Sequence, residues 1–188
     1  RVTVPTVGIH NVYDALAAFA VGYEMRMEPR KIAAGLKSFV PSGMRQRIKK
    51  VGGITVIEDC YNASPDSQKA ALDVLSSFKS NRRIAVLGDM LELGRTSADL
   101  HRDMGRLVPE MNFNCLLTVG KDAKNIQAGA IKAGMRPEHA LHFDDVQGAI
   151  DFLNANVRRG DILLVKGSRG MKLERVVDAM LRLTPVDA

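Results

Sequence analysis

The sequence contains no tryptophan, and aromatic residues make up only 5% of it. Any core must therefore be aliphatic, and a hydrophobic content of 46% is enough to build one. No apolar run reaches the length of a membrane-spanning helix, and the first residues lack the pattern of a signal peptide. We therefore expect a cytoplasmic protein with no membrane partner.

Cysteine is also scarce. Cys60 and Cys115 are the two cysteines of the sequence, and they lack the spacing of a metal site, so we expect reduced thiols. The four histidines show no metal pairing either and are expected to be structural or exposed. The net charge of +6 comes without a long basic run. This pattern favours small anionic ligands or a solvated surface, and we expect no nucleic-acid partner.

The first forty residues predict a short helical segment. Val2 to Pro5 is typical of the end of a strand. A helix with an apolar face follows Asn11, and Pro29 suits the start of a second helix. Two short helices cannot bury a core of their own. We therefore interpret residues 1–40 as the end of a domain whose body is outside this sequence.

The pattern breaks at Val40 to Gly43, where we place a linker, and one domain is predicted over residues 41–188. Residues 45–59 predict a β-hairpin with Gly52-Gly53 as its turn. Short apolar strands then alternate with helical segments. This alternation predicts an α/β fold with a Rossmann-like, mostly parallel sheet of about six strands, helices on both faces and the hairpin strand antiparallel at an edge. The four later strands are predicted at residues 84–87, 116–119, 140–143 and 162–165.

The stretch from Val56 to Ser67 predicts a strand, a polar turn and the start of a helix. Ser64 is a good N-cap, and Pro65 suits the first helical position. Polar groups between the carboxyl end of a strand and a helix amino terminus are where α/β sheets bind ligands. An ordinary capped turn is the alternative, but the density of polar groups favours a site.

Polar residues follow the other predicted strands as well, and in a parallel sheet these positions converge at one edge. Lysine and arginine there suit phosphates or carboxylates, and Asp59 could accept hydrogen bonds from ribose hydroxyls. Residues 119–122 imitate the end of a P-loop, but the upstream glycine is missing and Asp122 replaces the magnesium-binding hydroxyl, so we reject that interpretation. Residues 166–170 form a better anion loop. The converging set is Asp59, Tyr61, Asn62, Asp89, Glu92, Lys121, Asp144, Asp145, Lys166, Ser168 and Arg169.

Five sequence blocks, taken together and in order, closely resemble the carboxyl-terminal part of a Mur ligase. They are Gly8-Ile9-His10-Asn11, Gly43-Met44-Arg45, Asp59 to Ser67, Gly88 to Gly94 and Val165 to Arg169. The family has a UDP-binding domain, a central P-loop ATPase domain and a Rossmann-like carboxyl-terminal domain. The resemblance implies that residues 1–40 end the central ATP-binding domain and that residues 41–188 form the last domain.

The resemblance also implies a reaction in peptidoglycan precursor synthesis. ATP phosphorylates a carboxylate of UDP-N-acetylmuramoyl tripeptide, and the amine of D-Ala-D-Ala attacks the acyl phosphate. The implied partners are these two substrates, the implied cofactors are ATP and Mg²⁺, and we expect a monomer. The phosphate loop and the magnesium ligands belong to the part that this sequence lacks, so we expect this chain alone to be inactive.

Particular residues take roles through the same resemblance. His10 and Asn11 lie by the adenine, and Asp14 stands where the family often has asparagine. A carboxylate can accept from the adenine amino group but cannot donate to a ring nitrogen. Arg45 matches the catalytic arginine that reaches the ATP phosphates, and Asp59 matches the acid that contacts the ribose. The implied substrate-binding residues are Asn62, Ser67, Lys166, Ser168 and Arg169.

Two other functions agree with the residues. One is a stand-alone Rossmann-like module that binds a nucleotide or phosphosugar without catalysis, and it would retain nucleotide affinity in this chain. The other is a structural or partner-docking domain, in which the charges at the loop edge are incidental. A phosphate loop encoded upstream of Arg1 would favour the ligase over both.

Overall fold

The computed structural model describes residues 1–41, 43–79 and 82–183. The chain divides into two compact units, Arg1–Ser42 and Gly43–Ala188. The predicted linker includes Ser42, and the predicted second domain extends to Ala188; both residues lie outside the described part. Within that part, no helix has the length and apolar content needed to cross a bilayer.

The first unit contains the two predicted helices, α1 (Ile9–Glu24) and α2 (Pro29–Lys37). They meet at Gly22, where an added Cβ would lie 3.0 Å from Cγ1 of Ile32. Most apolar side chains of α1, such as Val12, remain exposed. This agrees with the expectation that two short helices do not bury a core of their own.

The prediction that Val2 to Pro5 forms the end of a strand is wrong. This segment has no strand assignment, and the Thr6 N–H donates locally to the carbonyl of Val4, 2.9 Å away. An extended segment becomes a strand only when a neighbouring strand satisfies its N–H and C=O groups. The described residues of the first unit include no strand that could do so.

The second unit is built on one six-stranded sheet in the order β1-β2-β6-β3-β4-β5. β1 runs antiparallel to β2, and the other neighbours are parallel. Gly52 and Gly53 form the hairpin turn, both with the positive φ that such a turn requires. The predicted mostly parallel sheet with an antiparallel edge hairpin is confirmed. The strands are β1 (Arg47–Val51), β2 (Ile54–Asp59), β3 (Arg83–Gly88), β4 (Cys115–Val119), β5 (Ala140–Phe143) and β6 (Ile162–Lys166).

Helices cover both faces of this sheet, also as predicted. The helices are α3 (Pro65–Ser77), α4 (Ser97–Leu107), α5 (Lys124–Lys132), α6 (Val146–Asn156) and α7 (Glu174–Arg182). On one face, Val56, Val86 and Val165 pack with side chains of α6 and α7. Neighbouring strand residues point to opposite faces, so Ile57 and Leu164 face the other side, where α3 and α5 contact the strands.

Two glycines let α4 and α5 cross at close range. A Cβ on Gly105 would fall on the carbonyl oxygen of Ile126, and a Cβ on Gly129 would fall on the carbonyl of Arg102. Because the obstacle at both positions is backbone, a side chain could not be accommodated by a rotamer change. The glycines therefore fix the spacing between α4, which follows β3 in the chain, and α5, which follows β4.

Candidate functional site

The carboxyl ends of the parallel strands bring the predicted polar residues to one edge of the sheet. The register places Asp59 of β2 directly opposite Lys166 of β6, and Leu87 of β3 opposite the same lysine. The loops after these three strands therefore begin side by side. This places residues that are distant in sequence within hydrogen-bond distance of one another.

Lys166 lies at the centre of this edge. Its side chain is only 2% exposed, and its Nζ donates to Oδ2 of Asp59 at 2.8 Å and to the carbonyl of Asn62 at 3.0 Å. The second oxygen of Asp59 accepts from the N–H of Gln46 at 3.4 Å. A buried ammonium and a buried carboxylate are tolerated because each compensates the other and both are hydrogen-bonded. The pair connects β6 to the β2–α3 loop and to the residues that lead into β1.

Ser168 ties the loop after β6 to the loop after β3. Its N–H donates to the carbonyl of Asp89 at 3.0 Å, and its Oγ accepts from the N–H of Leu91 at 2.9 Å. Oδ1 of Asp89 accepts from the N–H groups of Asp122 and Ala123 at 3.0 and 2.7 Å, which adds the loop after β4. These bonds hold the three loops as one connected surface.

Arg169 extends from this surface with an exposed guanidinium. Its Nη1 donates to Oε1 of Glu174 at 3.0 Å and approaches Sδ of Met44 at 2.8 Å. The contact with Met44 ties the β6 loop to the segment before β1. Arg169 is thus positioned while part of its donor set still faces solvent.

Arg45 follows Met44 and is also exposed. Its Cζ lies 4.4 Å from the centroid of the Tyr61 ring, a cation–π contact between the segment before β1 and the β2–α3 loop. No carboxylate in the described part of the chain pairs with this guanidinium. Arg45 therefore keeps its charge available to an anion.

The β2–α3 loop ends in the predicted helix cap. Ser64 and Ser67 form a capping box, in which Ser67 Oγ accepts from the Ser64 N–H at 2.9 Å and Ser64 Oγ accepts from the Ser67 N–H at 3.4 Å. Pro65 occupies the first turn, as predicted. The exposed Asn62 directs its Oδ1 to the N–H of Ala63 at 2.9 Å. The side chain of Ser67 thus has a structural partner, whereas Asn62 lies exposed at the surface of the loop.

The first unit holds the remaining predicted site residues on the first turns of α1. Asn11 Nδ2 donates to the carbonyl of Val7 at 2.7 Å and lies 3.0 Å from Nε2 of His10, while Asp14 is exposed. Asn11 also lines a pocket of about 270 Å³ whose other walls are mostly apolar. The helix start therefore places one amide side chain in the wall of a small cavity.

Four residues of the converging set lie away from this network. Glu92 and Lys121 are exposed. Asp145 caps α6 by accepting from the N–H of Gly148 at 2.9 Å, and Asp144 lies 3.6 Å from His142. The carboxylate of Asp89 packs against the backbone that precedes Lys121, which agrees with rejecting that loop as a phosphate loop.

Two buried polar residues lie outside the predicted set of site residues. His101, expected only to be structural or exposed, accepts from the Met90 N–H at 2.9 Å and so anchors the loop after β3. Gln68 is fully buried on α3, and its amide has no partner among the described residues. The helical spacing of Gln68 with Leu72 and Leu75 was the available signal that it faces the core.

Both cysteines are free and buried. Burial, and then the negative charges of Glu58, Glu174 and Asp59, raise the pKa of the Cys60 thiol from 9.0 to about 12. Burial raises the pKa of Cys115 to about 11. These thiols are protonated at neutral pH and are poor nucleophiles or metal ligands. In the described residues, no cluster of three or more histidine, cysteine or acidic side chains could hold a metal ion.

A mostly parallel sheet covered on both faces, with charged loops interlocked at its carboxyl edge, defines a Rossmann-like α/β domain, and sheets of this class bind ligands at that edge. Residues 44–169 match the family described as Mur ligase, glutamate ligase domain. The chain belongs to this family, which confirms the resemblance found in the sequence blocks.

Within this family, the chain is similar to ligases that act on UDP-N-acetylmuramoyl tripeptide and D-Ala-D-Ala by name. The UDP-N-acetylmuramoyl-tripeptide–D-alanyl-D-alanine ligase of Bacillus subtilis is 36% identical over 180 residues, which covers 95% of this chain and 39% of that ligase. The ligase of the same name from Treponema pallidum is 31% identical, with 93% of this chain and 38% of the relative covered. A crystal structure of MurF from Acinetobacter baumannii matches with a TM-score of 0.85 at 29% identity, over 96% of this chain and 39% of that one. The chain thus spans about two fifths of the length of these relatives and corresponds to their carboxyl-terminal part.

Proposed function

We propose that this chain is the carboxyl-terminal part of an ATP-dependent amide ligase that adds D-Ala-D-Ala to UDP-N-acetylmuramoyl tripeptide. The observation that carries the proposal is the 36% identity, over 95% of this chain, to a UDP-N-acetylmuramoyl-tripeptide–D-alanyl-D-alanine ligase. The interlocked, charged sheet edge supports it, because such an edge is where this class of sheet binds anionic ligands. The full-length protein would act in the cytoplasm, as a monomer, in the synthesis of peptidoglycan for cell shape and division.

The domain assignment follows from the same proposal. Residues 1–40 would end the central ATP-binding domain, and residues 41–188 would form the last domain. The first-turn residues of α1 would contact the adenine, with Asn11 in the wall of the small pocket and His10 and Asp14 near it in sequence. An asparagine amide can donate to a ring nitrogen and accept from the adenine amino group.

Two residues of the second unit would contact the rest of ATP. The free guanidinium of Arg45 fits the phosphates, since it can donate two parallel hydrogen bonds to a phosphate. Asp59 would accept from the ribose through oxygen lone pairs that remain beside its bonds to Lys166 and Gln46. Magnesium would supply charge stabilisation for phosphoryl transfer. The described residues hold no acidic cluster for it, so its ligands would come from the rest of the full-length protein.

The five proposed substrate-binding residues divide by exposure. Asn62 and Arg169 are exposed and could contact the tripeptide carboxylate or the dipeptide directly. Lys166 and Ser168 are buried and hydrogen-bonded, and Ser67 is committed to the capping box. We propose that these three shape the cleft by holding the loops, whereas Asn62 and Arg169 meet the substrate.

The test is product formation by the full-length protein. Incubation with ATP, Mg²⁺, UDP-N-acetylmuramoyl tripeptide and D-Ala-D-Ala should give the pentapeptide product by mass spectrometry, with release of ADP and phosphate. Omission of D-Ala-D-Ala should abolish the product. Nucleotide binding without product under all conditions would instead favour a non-catalytic binding module.

The isolated chain should give no product. It would lack the phosphate loop, the magnesium ligands and the UDP-binding domain together. Phosphate release above background by this chain, with all substrates and magnesium present, would contradict the division of roles proposed here.

A further inference from the structure

Arg45 precedes β1 and Tyr61 follows β2, so the β1–β2 hairpin brings the two residues together at its open end. The guanidinium carbon lies 4.4 Å from the ring centroid, and Tyr61 is 47% exposed. A cationic side chain on the surface usually samples many rotamers. The ring limits that freedom because the flat guanidinium is attracted to the negative face of the aromatic system.

The stack leaves the donors of Arg45 available. All five guanidinium N–H groups lie in its plane and point outward from its edge, whereas the ring occupies a face. A carboxylate partner would instead bind those N–H groups and neutralise the charge. Within the described part of the chain no carboxylate does so, and Arg45 can therefore offer a bidentate edge to a phosphate.

The residues on both sides of the stack make contacts with the rest of the second unit. Met44, before Arg45, is contacted by Arg169 at 2.8 Å, and the N–H of Gln46, after it, donates to Asp59 at 3.4 Å. Tyr61 follows Cys60, which is fully buried, and precedes Asn62, whose carbonyl accepts from the buried lysine of β6. The segments that carry Arg45 and Tyr61 are thus both hydrogen-bonded to the Asp59–Lys166 pair.

We propose that Tyr61 is a positioning residue that preorganises the Arg45 guanidinium for the transferring phosphate. The proposal rests on the proposed function, in which Arg45 contacts the ATP phosphates. Tyr61 does not itself touch the reacting atoms. Its ring fixes the orientation of the Arg45 guanidinium before substrate binds. The arginine side chain therefore loses less conformational freedom in the transition state.

The experiment compares variants of the full-length ligase in steady-state phosphate release. Tyr61→Leu keeps the bulk but removes the aromatic face, and kcat should fall about tenfold, with little change in KM for ATP. Tyr61→Phe keeps the face and should retain most of the rate. Tyr23→Leu, at an exposed tyrosine of α1, is the matched control and should leave the rate unchanged.

A double-mutant cycle separates positioning from a merely structural role. If Tyr61 acts through Arg45, Tyr61→Leu should cause no further loss in an Arg45→Ala background. Equal losses in both backgrounds, or a wild-type rate for Tyr61→Leu, would overturn the proposal. A Tyr61→Phe variant as slow as Tyr61→Leu would also overturn it, because the hydroxyl and not the ring face would then matter.

A second readout is independent of activity. In the NMR spectrum of this chain, the Arg45 side-chain protons should be shifted upfield by the ring current of Tyr61. The shift should persist in Tyr61→Phe and disappear in Tyr61→Leu. If the upfield shift is observed but the full-length protein has no ligase activity, the proposed function is refuted and the stack is not. If the protein is active but the shift is absent, the stack is refuted.

Discussion

Lys166 carries a full positive charge into the buried edge of the sheet, with 2% of its side chain exposed. Removing one partner of a buried pair leaves the other charge uncompensated, which typically costs 3–5 kcal/mol. We therefore expect Lys166→Met to lower the free energy of unfolding by about that amount, as measured by urea denaturation of this chain. Lys121→Met, at an exposed lysine, should change it by less than about 0.5 kcal/mol.

The partner of Lys166 gives the sharper control. Asp59→Asn combined with Lys166→Met removes both charges, so the double variant should be more stable than the sum of the single losses predicts. Additive losses would mean that the 2.8 Å contact contributes no coupling and that Lys166 is stabilised by other groups.

The two buried thiols give the chain a predictable response to alkali. An unfolded thiol ionises near pH 9.0, whereas the folded pKa is about 12 for Cys60 and about 11 for Cys115. The contribution of these thiols to the free energy of unfolding is therefore fully present below pH 9. It is lost as the pH rises from 9 through the folded pKa, because the unfolded thiol ionises first. Between pH 8 and pH 10, Cys60→Ala should lose about 1 kcal/mol less than wild type in urea denaturation. Equal losses in the two proteins would refute a buried, protonated Cys60.

At the level of secondary structure, the elements that sequence predicted well are those with local signals. The hairpin follows from Gly52-Gly53, and the start of α3 follows from Ser64 and Pro65, because turn and cap chemistry act within a few residues. The strand expected at Val2 failed for the complementary reason: a strand depends on a neighbour, which local sequence does not specify.

The start of α3 also separates two roles for Ser67. Ser67→Ala removes the hydroxyl that accepts from the Ser64 N–H at 2.9 Å, and should cost about 1 kcal/mol of unfolding free energy. Ser76→Ala is the matched control, since the Ser76 hydroxyl only donates back to the exposed Asp73 carbonyl; its cost should be within about 0.5 kcal/mol. If Ser67→Ala leaves stability unchanged but raises KM for D-Ala-D-Ala, Ser67 binds substrate directly and the capping role is secondary.

The contacts within the candidate site were harder to predict from the sequence than the strands and helices on which its residues lie. Strand ends and βα topology indicated which polar residues share an edge, and Asp59, Lys166 and Ser168 were named on that basis. Which donor meets which acceptor depends on register and side-chain reach across distant segments. The Arg45–Tyr61 stack and the role of His101 are contacts of this kind, and no local pattern contains them.

For the whole molecule, the second unit supplies a preformed surface, whereas the chain spans about two fifths of the length of its relatives. The sequence order of strands and helices was enough to predict a parallel sheet with an antiparallel edge, since few topologies satisfy short right-handed crossovers. The reaction would still require parts outside this chain. The central claim is therefore that Arg45 of the second unit contacts the transferring phosphate in the reaction proposed for the full-length protein.

Steady-state phosphate release by full-length wild type, Arg45→Ala and Arg45→Lys, with a thermal melt of each, tests this claim most directly. Loss of one preorganised donor to the transition state should lower kcat of Arg45→Ala about a hundredfold or more at saturating ATP. Arg45→Lys keeps the charge but loses the bidentate fork, and should not restore the rate. All three proteins should melt at the same temperature, because Arg45 is exposed. A near wild-type kcat for Arg45→Ala, or a loss of activity that only follows a lower melting temperature, would contradict the account.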